Sequence, residues 1–153
     1  MQKRKLFIGA DHAGFDLKEY IKAFLGKKDY ELEDMGTYDK SRVDYPDLAK
    51  SVALNVRLEK NALGILICGT GIGISIAANK VPGIRAALCN DPRCARLSRN
   101  HNDANILVLG GRPYNKKKVK NIVNTWLASD FEGGRHLLRV NKIKRMEKEF
   151  FKR

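Results

Sequence analysis

Apolar positions follow two rhythms along this chain: short runs in which almost every residue is apolar, and longer stretches with an apolar residue every third or fourth position. Lys5–Ala10 reads as a first strand ending at Asp11-His12, and Ala13–Leu25 carries Leu17, Ile21, Phe24 and Leu25 at helical spacing. Tyr30–Met35 reads as a second, half-exposed strand, followed by a loop from Gly36 to Asp44. Pro46 sits where a helix opens, with Leu48, Ala49, Val52, Ala53 and Val56 as its apolar stripe. Leu63–Cys68 is a third strand. Glycines 69, 71 and 73 follow it, then a helix to Lys80 that Val81-Pro82-Gly83 breaks. Ile84–Cys89 makes a fourth strand, Asp91-Pro92 opens a helix towards His101, and Asn105–Leu109 is a fifth strand closed by Gly110-Gly111. Val119, Ile122, Val123, Trp126 and Leu127 line the next helix. After Gly133-Gly134, a basic C-terminal helix at about 135–151 carries Val140, Ile143, Met146 and Phe150 on one face.

Strands alternate with helices from end to end, and from Leu63 onward the strands are nearly continuous apolar runs. That pattern belongs to a mostly parallel α/β sheet covered on both faces. Right-handed crossovers put all strand C-termini on one edge, where open α/β sheets bind ligands. Three strand ends there carry reactive residue types: Asp11-His12, Cys68 with its glycines, and the Asp91 turn. His101 precedes the fifth strand and is expected to reach the same rim through a loop or a helix end. No repeat or linker interrupts the chain, so residues 1–153 read as a single domain.

Composition changes this picture in two places. A formal charge of +13 favours anionic partners, with nucleic acid and a phosphorylated metabolite as the two classes. The lysines and arginines are scattered, clustering only at Lys116–Lys120 and from Arg139 onward, and no aromatic-interleaved RNA motif or zinc-finger spacing appears. Most of them read as solvated surface, and nucleic acid is not an expected partner. The three cysteines (Cys68, Cys89, Cys94) are odd in number and lack a CxxC spacing, which suits a reducing cytosol. The longest apolar run, Ala62–Cys68, is far too short to span a bilayer, and Leu6–Ile8 makes no signal-peptide core. The reading is a soluble cytoplasmic protein without a membrane partner.

The chemistry concentrates around Cys68. A dinucleotide fingerprint starting at Gly69 requires glycine where Ile74 stands, and a Walker loop requires Gly-Lys-Ser/Thr where the chain has Ile74-Ser75. Three alternating glycines instead suggest an anion or oxyanion cradle of backbone amides. Cys68 ends its strand beside a helix N-terminus, a setting that favours thiolate, whereas Cys89 and Cys94 read as small buried hydrophobes. His12 and His101 lie in predicted loops beside Asp11, Asn102 and Asp103. Arg135, His136 and Arg139 place two guanidinium forks on one helical face, which suits a phosphate, although a solvated basic helix has the same spacing. His, Cys and carboxylate groups are too dispersed in sequence to assign a metal.

These residues fall in ordered blocks: DHAGF from Asp11, CGTGIGISIAANK from Cys68, SRNHNDAN from Ser98, LGGR from Leu109 and EGGRHLLRV from Glu132. Together they closely resemble the ribose-5-phosphate isomerase B family, which also takes in galactose-6-phosphate isomerase subunits and allose-6-phosphate isomerases. The resemblance covers essentially the whole chain. It implies a three-layer α/β/α sandwich around a five-stranded, Rossmann-like parallel sheet, and a homodimer or tetramer with shared active sites. The C-terminal helix would pack on the partner. It also implies a metal-free, cofactor-free interconversion of ribose 5-phosphate and ribulose 5-phosphate in the pentose phosphate pathway. By the family pattern Cys68 is the base. Some members use a glutamate instead, at a position around Ser75 here, so the serine supports the cysteine branch. The amides of Gly69, Thr70, Gly71, Ile72 and Gly73 would hold the enediolate, and Thr70 would relay a proton between O1 and O2. His101, assisted by Asp11, matches the ring-opening acid/base. His12, Arg135 and Arg139 match phosphate contacts, Asn102 and Arg112 match ligand contacts given across the dimer, and Tyr45 borders the sugar. A hexose-6-phosphate isomerase is the alternative within this chemistry, and a noncatalytic anion- or nucleic-acid-binding module the alternative outside it.

Overall fold

The computed structural model describes residues 3–151, so residues 1, 2, 152 and 153 of the expected unit lie outside the described residues. The elements run β1 (Arg4–Ala10), α1 (Phe15–Leu25), β2 (Tyr30–Asp34), α2 (Tyr45–Leu58), β3 (Leu63–Cys68), α3 (Ile72–Ala78), β4 (Ala86–Leu88), α4 (Pro92–Asn102), β5 (Ile106–Gly110), α5 (Lys116–Leu127) and α6 (Arg135–Phe150). The five strands pair in the order β2-β1-β3-β5-β4, every pair parallel.

Because successive strand residues face opposite sides, Leu6 and Ile8 look one way and Phe7 the other. Leu6, Ile8, Ile65, Ile67, Leu107 and Leu109 pack against Leu17 and Ile21 of α1, Ala95 of α4, and Val119, Ile122, Val123 and Trp126 of α5. Phe7, Leu66, Ile106 and Val108 pack on the other face against Ala49, Val52, Ala53 and Val56 of α2 and Ile74 and Ala78 of α3. The result is the three-layer α/β/α sandwich. Among the described residues no helix is long and apolar enough to cross a membrane.

Three departures from the sequence reading have local causes. Helix α1 starts at Phe15, later than Ala13, because Asp11 Oδ1 accepts the Ala13 and Gly14 N–H groups (2.9 and 3.0 Å) and closes a turn there. Strand β4 covers only Ala86–Leu88 of the expected Ile84–Cys89. The Asn79 amide pairs with both backbone groups of Ala86, each at 2.9 Å, and the Asn105 side chain holds Arg85 N at 2.8 Å, so side chains take backbone groups at the start of this edge strand. Cys89 is buried as expected, which pushes its thiol up to about 11. Cys94 is exposed, contrary to expectation, because the N-cap Asp91 turns it outward with its Sγ 3.3 Å from Asp91 Oδ2.

Helix α6 follows its expected range. Its apolar stripe meets little of its own chain: Val140 is buried, but Ile143, Met146 and Phe150 are 40, 57 and 72% exposed. The Glu147 carboxylate ties the far end of the helix to Gly83 N–H at 3.1 Å.

One ionic group lies inside the fold. Lys18 is fully buried, and its ammonium donates to Asp34 Oδ2 at 2.5 Å and Glu19 Oε1 at 3.1 Å, with Lys22 also on Asp34 Oδ2 at 2.5 Å. Burial by itself would raise the Asp34 carboxyl, but hydrogen bonds from Lys18, Lys22 and Gly36 N–H outweigh it and hold the group below its ordinary value. A carboxyl depressed on folding stabilises the fold above its unfolded pKa, and that contribution is lost as pH falls through the folded value. We predict that Asp34→Asn costs about 3 kcal/mol at neutral pH. The gap to wild type should narrow in denaturant titrations below about pH 4. A gap that stays constant between neutral and acid pH would contradict this assignment.

Candidate active site

The C-terminal edge of the sheet gathers the loops after β1, β3 and β5. Cys68, the last residue of β3, is 4% exposed, and its Sγ accepts the Gly71 N–H at 3.2 Å, so the sulfur faces the glycine loop that starts α3. Gly71 has φ +79°, and a Cβ there would stand 2.5 Å from Leu88 Cδ1 and 3.0 Å from the Leu109 backbone. The loop therefore requires glycine at that position to reach the sulfur. Thr70 is exposed, and its Oγ1 accepts Ile72 N–H at 3.1 Å. Two of the five amides expected in the cradle, those of Gly71 and Ile72, are thus already engaged by side chains of the loop itself.

Asp11 N–H donates to Ile67 O at 3.1 Å, which sets the carboxylate beside the end of β3. Its Oδ1 serves the α1 turn, so Oδ2 is the oxygen left for chemistry. His12 Nδ1 lies 3.3 Å from Val43 O and 3.4 Å from Val43 N, so the loop before α2 fixes the ring in either tautomer. Tyr45 follows Val43 closely, and its ring rests on Gly73, where a Cβ would meet the ring at 2.6 Å. Tyr45 thereby forms a wall of the glycine loop. Arg112 N–H bonds Gly69 O at 3.0 Å, and with Gly69, Thr70 and Tyr114 it lines a cleft of about 470 Å³.

His101 does not join them. Helix α4 starts after the C-terminal end of β4 and returns across the face, and its 11 residues rise about 16 Å. Its last turn is therefore beside the strand entries, where Arg85 Nε donates to Asn102 O (3.0 Å) and Asp103 O (2.9 Å). The expectation that His101 reaches the Cys68 rim of its own chain is corrected by the direction of this helix. Arg112 and Asn102 likewise separate, with Arg112 on the Cys68 edge and Asn102 on the opposite one.

A second group assembles around His101. Its ring stacks on His136, with centroids 4.0 Å apart and planes at 10°. The α4 terminus grips the chain leading into α6: Asn100 Nδ2 donates to Asp130 O at 2.7 Å, and Glu132 N donates to Asn100 O at 3.0 Å. That grip brings Arg135, His136 and Arg139 beside His101, with both arginines exposed. Burial first, then the charges of His101 and Arg135, hold His136 below its ordinary pKa, and Arg135 Nε donates to its Nε2 at 3.5 Å. The sequence singles out His136 only as a member of the basic group on this helix, although it lies four positions before Val140 and so shares the buried stripe.

The ligand atoms of His101, Glu132 and His136 lie within 4.8 Å of one another. Arg135 Nε already donates to His136 Nε2, and the neighbouring guanidinium groups repel a cation. The cluster suits proton exchange beside an anion better than metal binding.

Known proteins share this sequence pattern and this fold. The family model described as Ribose/Galactose Isomerase matches residues 6–143. Ribose-5-phosphate isomerase B of Escherichia coli (strain K12) is 49% identical over 144 residues, spanning 94% of this chain and 97% of the relative. The structure of Clostridium thermocellum ribose-5-phosphate isomerase B superposes with a TM-score of 0.93 at 53% identity, covering 95% of this chain and 99% of that one. Ribose-5-phosphate isomerase B from Mycoplasma genitalium, solved with bound ribulose-5-phosphate, superposes with a TM-score of 0.92 at 42% identity, covering 97 and 99%. With fold, edge chemistry and both sets of matches in agreement, this chain belongs to the Ribose/Galactose Isomerase family.

Proposed function

We propose that this protein interconverts D-ribose 5-phosphate and D-ribulose 5-phosphate, with Cys68 as the base. The observation that carries the reading is a thiol at the end of β3 whose sulfur already accepts a loop amide, Gly71 N–H at 3.2 Å. That contact turns the sulfur towards the glycine loop. The thiolate takes the proton from C2 of the open-chain aldose, and the C–H electrons form the C1=C2 bond while the C1 carbonyl oxygen takes the negative charge. The thiol then returns a proton to C1 as the O2 proton moves to O1, leaving a C2 ketone. The amides of Gly69, Thr70 and Gly73, which the loop does not use, are suited to hold the enediolate oxygens. Exposed Thr70 is suited to relay the proton between O1 and O2.

Ribose 5-phosphate is mostly a closed furanose, so an acid/base must open it first. His101 fits that task with Asp11 Oδ2, and Asn102 fits a sugar hydroxyl. His12, Arg112, Arg135 and Arg139 suit the phosphate, the two α6 arginines by bidentate forks. Tyr45 walls the sugar.

His101 and Cys68 stand at opposite ends of one chain, so the reaction requires a second copy to bring its His101, Asn102, Arg135 and Arg139 onto the Cys68 edge. The exposed stripe of α6, with Leu137 and Leu138, and exposed Ile72 and Ile76 beside the glycine loop support such a homodimer. Three unpaired cysteines support a reducing, cytoplasmic setting.

Two outcomes follow. Cys68→Ala should lower turnover by about a thousandfold or more while sugar-phosphate binding changes little, and solvent deuterium should cease to enter C2 of ribose 5-phosphate. Turnover within tenfold of wild type would remove Cys68 from the role of base. Cys68→Ala and His101→Ala chains, each inactive alone, should recover about a quarter of wild-type activity when refolded together in equal amounts, since half the dimers are mixed and each mixed dimer holds one intact site. No recovery, with mixed dimers demonstrated, would place each site within one chain.

A further inference from the structure

Lys18 has no part in the chemistry above, yet it is buried without exposure and charged. Replacing a buried ion pair by apolar groups is often neutral or stabilising, so stability alone does not account for an ammonium here. Its surroundings point towards the substrate edge. The ammonium lies 5.6 Å from the ring centres of both Phe15 and Tyr38 and donates to Asp34 Oδ2 at 2.5 Å.

Asp34 passes that fixation to the loop joining β2 to α2. Its Oδ1 accepts Gly36 N–H at 3.0 Å, and its carbonyl accepts the Tyr38 hydroxyl at 3.0 Å. Gly36 O then accepts Ala10 N–H, and Thr37 N–H donates to Ala10 O, both at 2.8 Å. Ala10 is the residue before Asp11-His12. The far end of the same loop holds the His12 ring through Val43 and delivers Tyr45 onto Gly73. The near end of the loop is thus held by Asp34, and its far end touches two residues of the site.

We infer that Lys18 is a positioning residue: through Asp34 it sets the 36–44 loop that orients His12 and Tyr45 against the substrate. The inference rests on the isomerase reading, in which His12 contacts the phosphate. Lys18 acts through those groups and touches no reacting atom. Lys22 also holds Asp34, at 2.5 Å, so a Lys18→Met chain keeps a cation on the carboxylate.

A double-mutant cycle tests this. Lys18→Met should raise KM for ribose 5-phosphate about tenfold with kcat within about twofold, and in a His12→Ala background the same change should alter KM by less than about twofold. A structural role alone would not produce that non-additivity. KM unchanged by Lys18→Met, or a full tenfold effect that multiplies undiminished onto His12→Ala, would overturn the inference. Asp34→Asn, which keeps a neutral acceptor for Gly36, should give the same pattern if Lys18→Met fails to fold. Failure of both to fold would assign the cluster to stability and also overturn it. Wild-type protein without turnover would tell against the isomerase reading, whereas additive effects in an active wild type tell only against Lys18.

Discussion

Parallel pairing is the constraint on which the rest depends. Every strand enters at one edge of the sheet and leaves at the other, so each crossover helix must carry the chain back. A residue at the end of a strand and a residue at the end of the following helix are therefore kept apart by the thickness of the sheet's long dimension. Cys68 is of the first kind and His101 of the second. No adjustment of loop conformation closes that gap, because α4 is packed on the sheet through Ala95 and ends on Arg85 at the entry side. The same constraint leaves α6, which starts beside His101, with most of its apolar stripe uncovered. On the proposed reading, a base without its acid and a helix without its cover are two consequences of one topology, and a second copy of the chain would answer both.

At the Cys68 edge, close approach of backbone decides which residues are allowed. Gly71 brings the loop against Leu88 and Leu109 in a left-handed conformation, and Gly73 lets the Tyr45 ring lie on the helix start. Gly69 is different: a Cβ there would meet only Ala13 Cβ, at an ordinary 3.6 Å. The alternating glycines thus have separate reasons, one for backbone angle and packing, one for a neighbouring ring, and one for access to the open side of the loop. The engaged Gly71 amide shows the balance struck at the sulfur. The thiol is nearly covered by its own chain, and the polar partner that faces it comes from the loop a substrate must also use.

Much of this was legible beforehand. Element order, the parallel sheet and the contents of both core layers follow from periodicity, because buried strands and amphipathic helices impose different spacings. Asp11, His12 and Cys68 with its glycines could be placed on one edge from strand ends alone, whereas Arg112 entered only through the family resemblance. His101 cannot, since its position just before the fifth strand suggests a route to the rim, whereas the direction of α4 puts the end of that helix at the entry side. Hydropathy suggests burial for Cys94, but its exposure depends on how Asp91 caps the helix, a contact between residues three apart that hydropathy does not register. The stack of His136 on His101 joins segments 35 positions apart through Asn100 and the 130–132 chain, and no local pattern encodes it.

The two halves of the site share a further feature. Each is built from loops whose polar backbone cannot be fixed by apolar packing alone, and each is braced by a buried cation. At the Cys68 edge the brace is Lys18 acting on Asp34. At the entry edge it is Arg99, which donates to Ala104 O at 2.6 Å, Asp103 Oδ1 at 3.3 Å and Ser129 O at 3.3 Å while lying 5.6 Å over the Trp126 ring. Arg99 thereby joins the end of α4, the start of β5 and the connection into α6, the three segments that meet at His101. A guanidinium or ammonium can satisfy several carbonyl and carboxylate oxygens at once, which no aliphatic side chain can do. In a fold whose polar side chains gather in loops at both edges of one sheet, buried charge is what holds those loops still enough for the proposed chemistry.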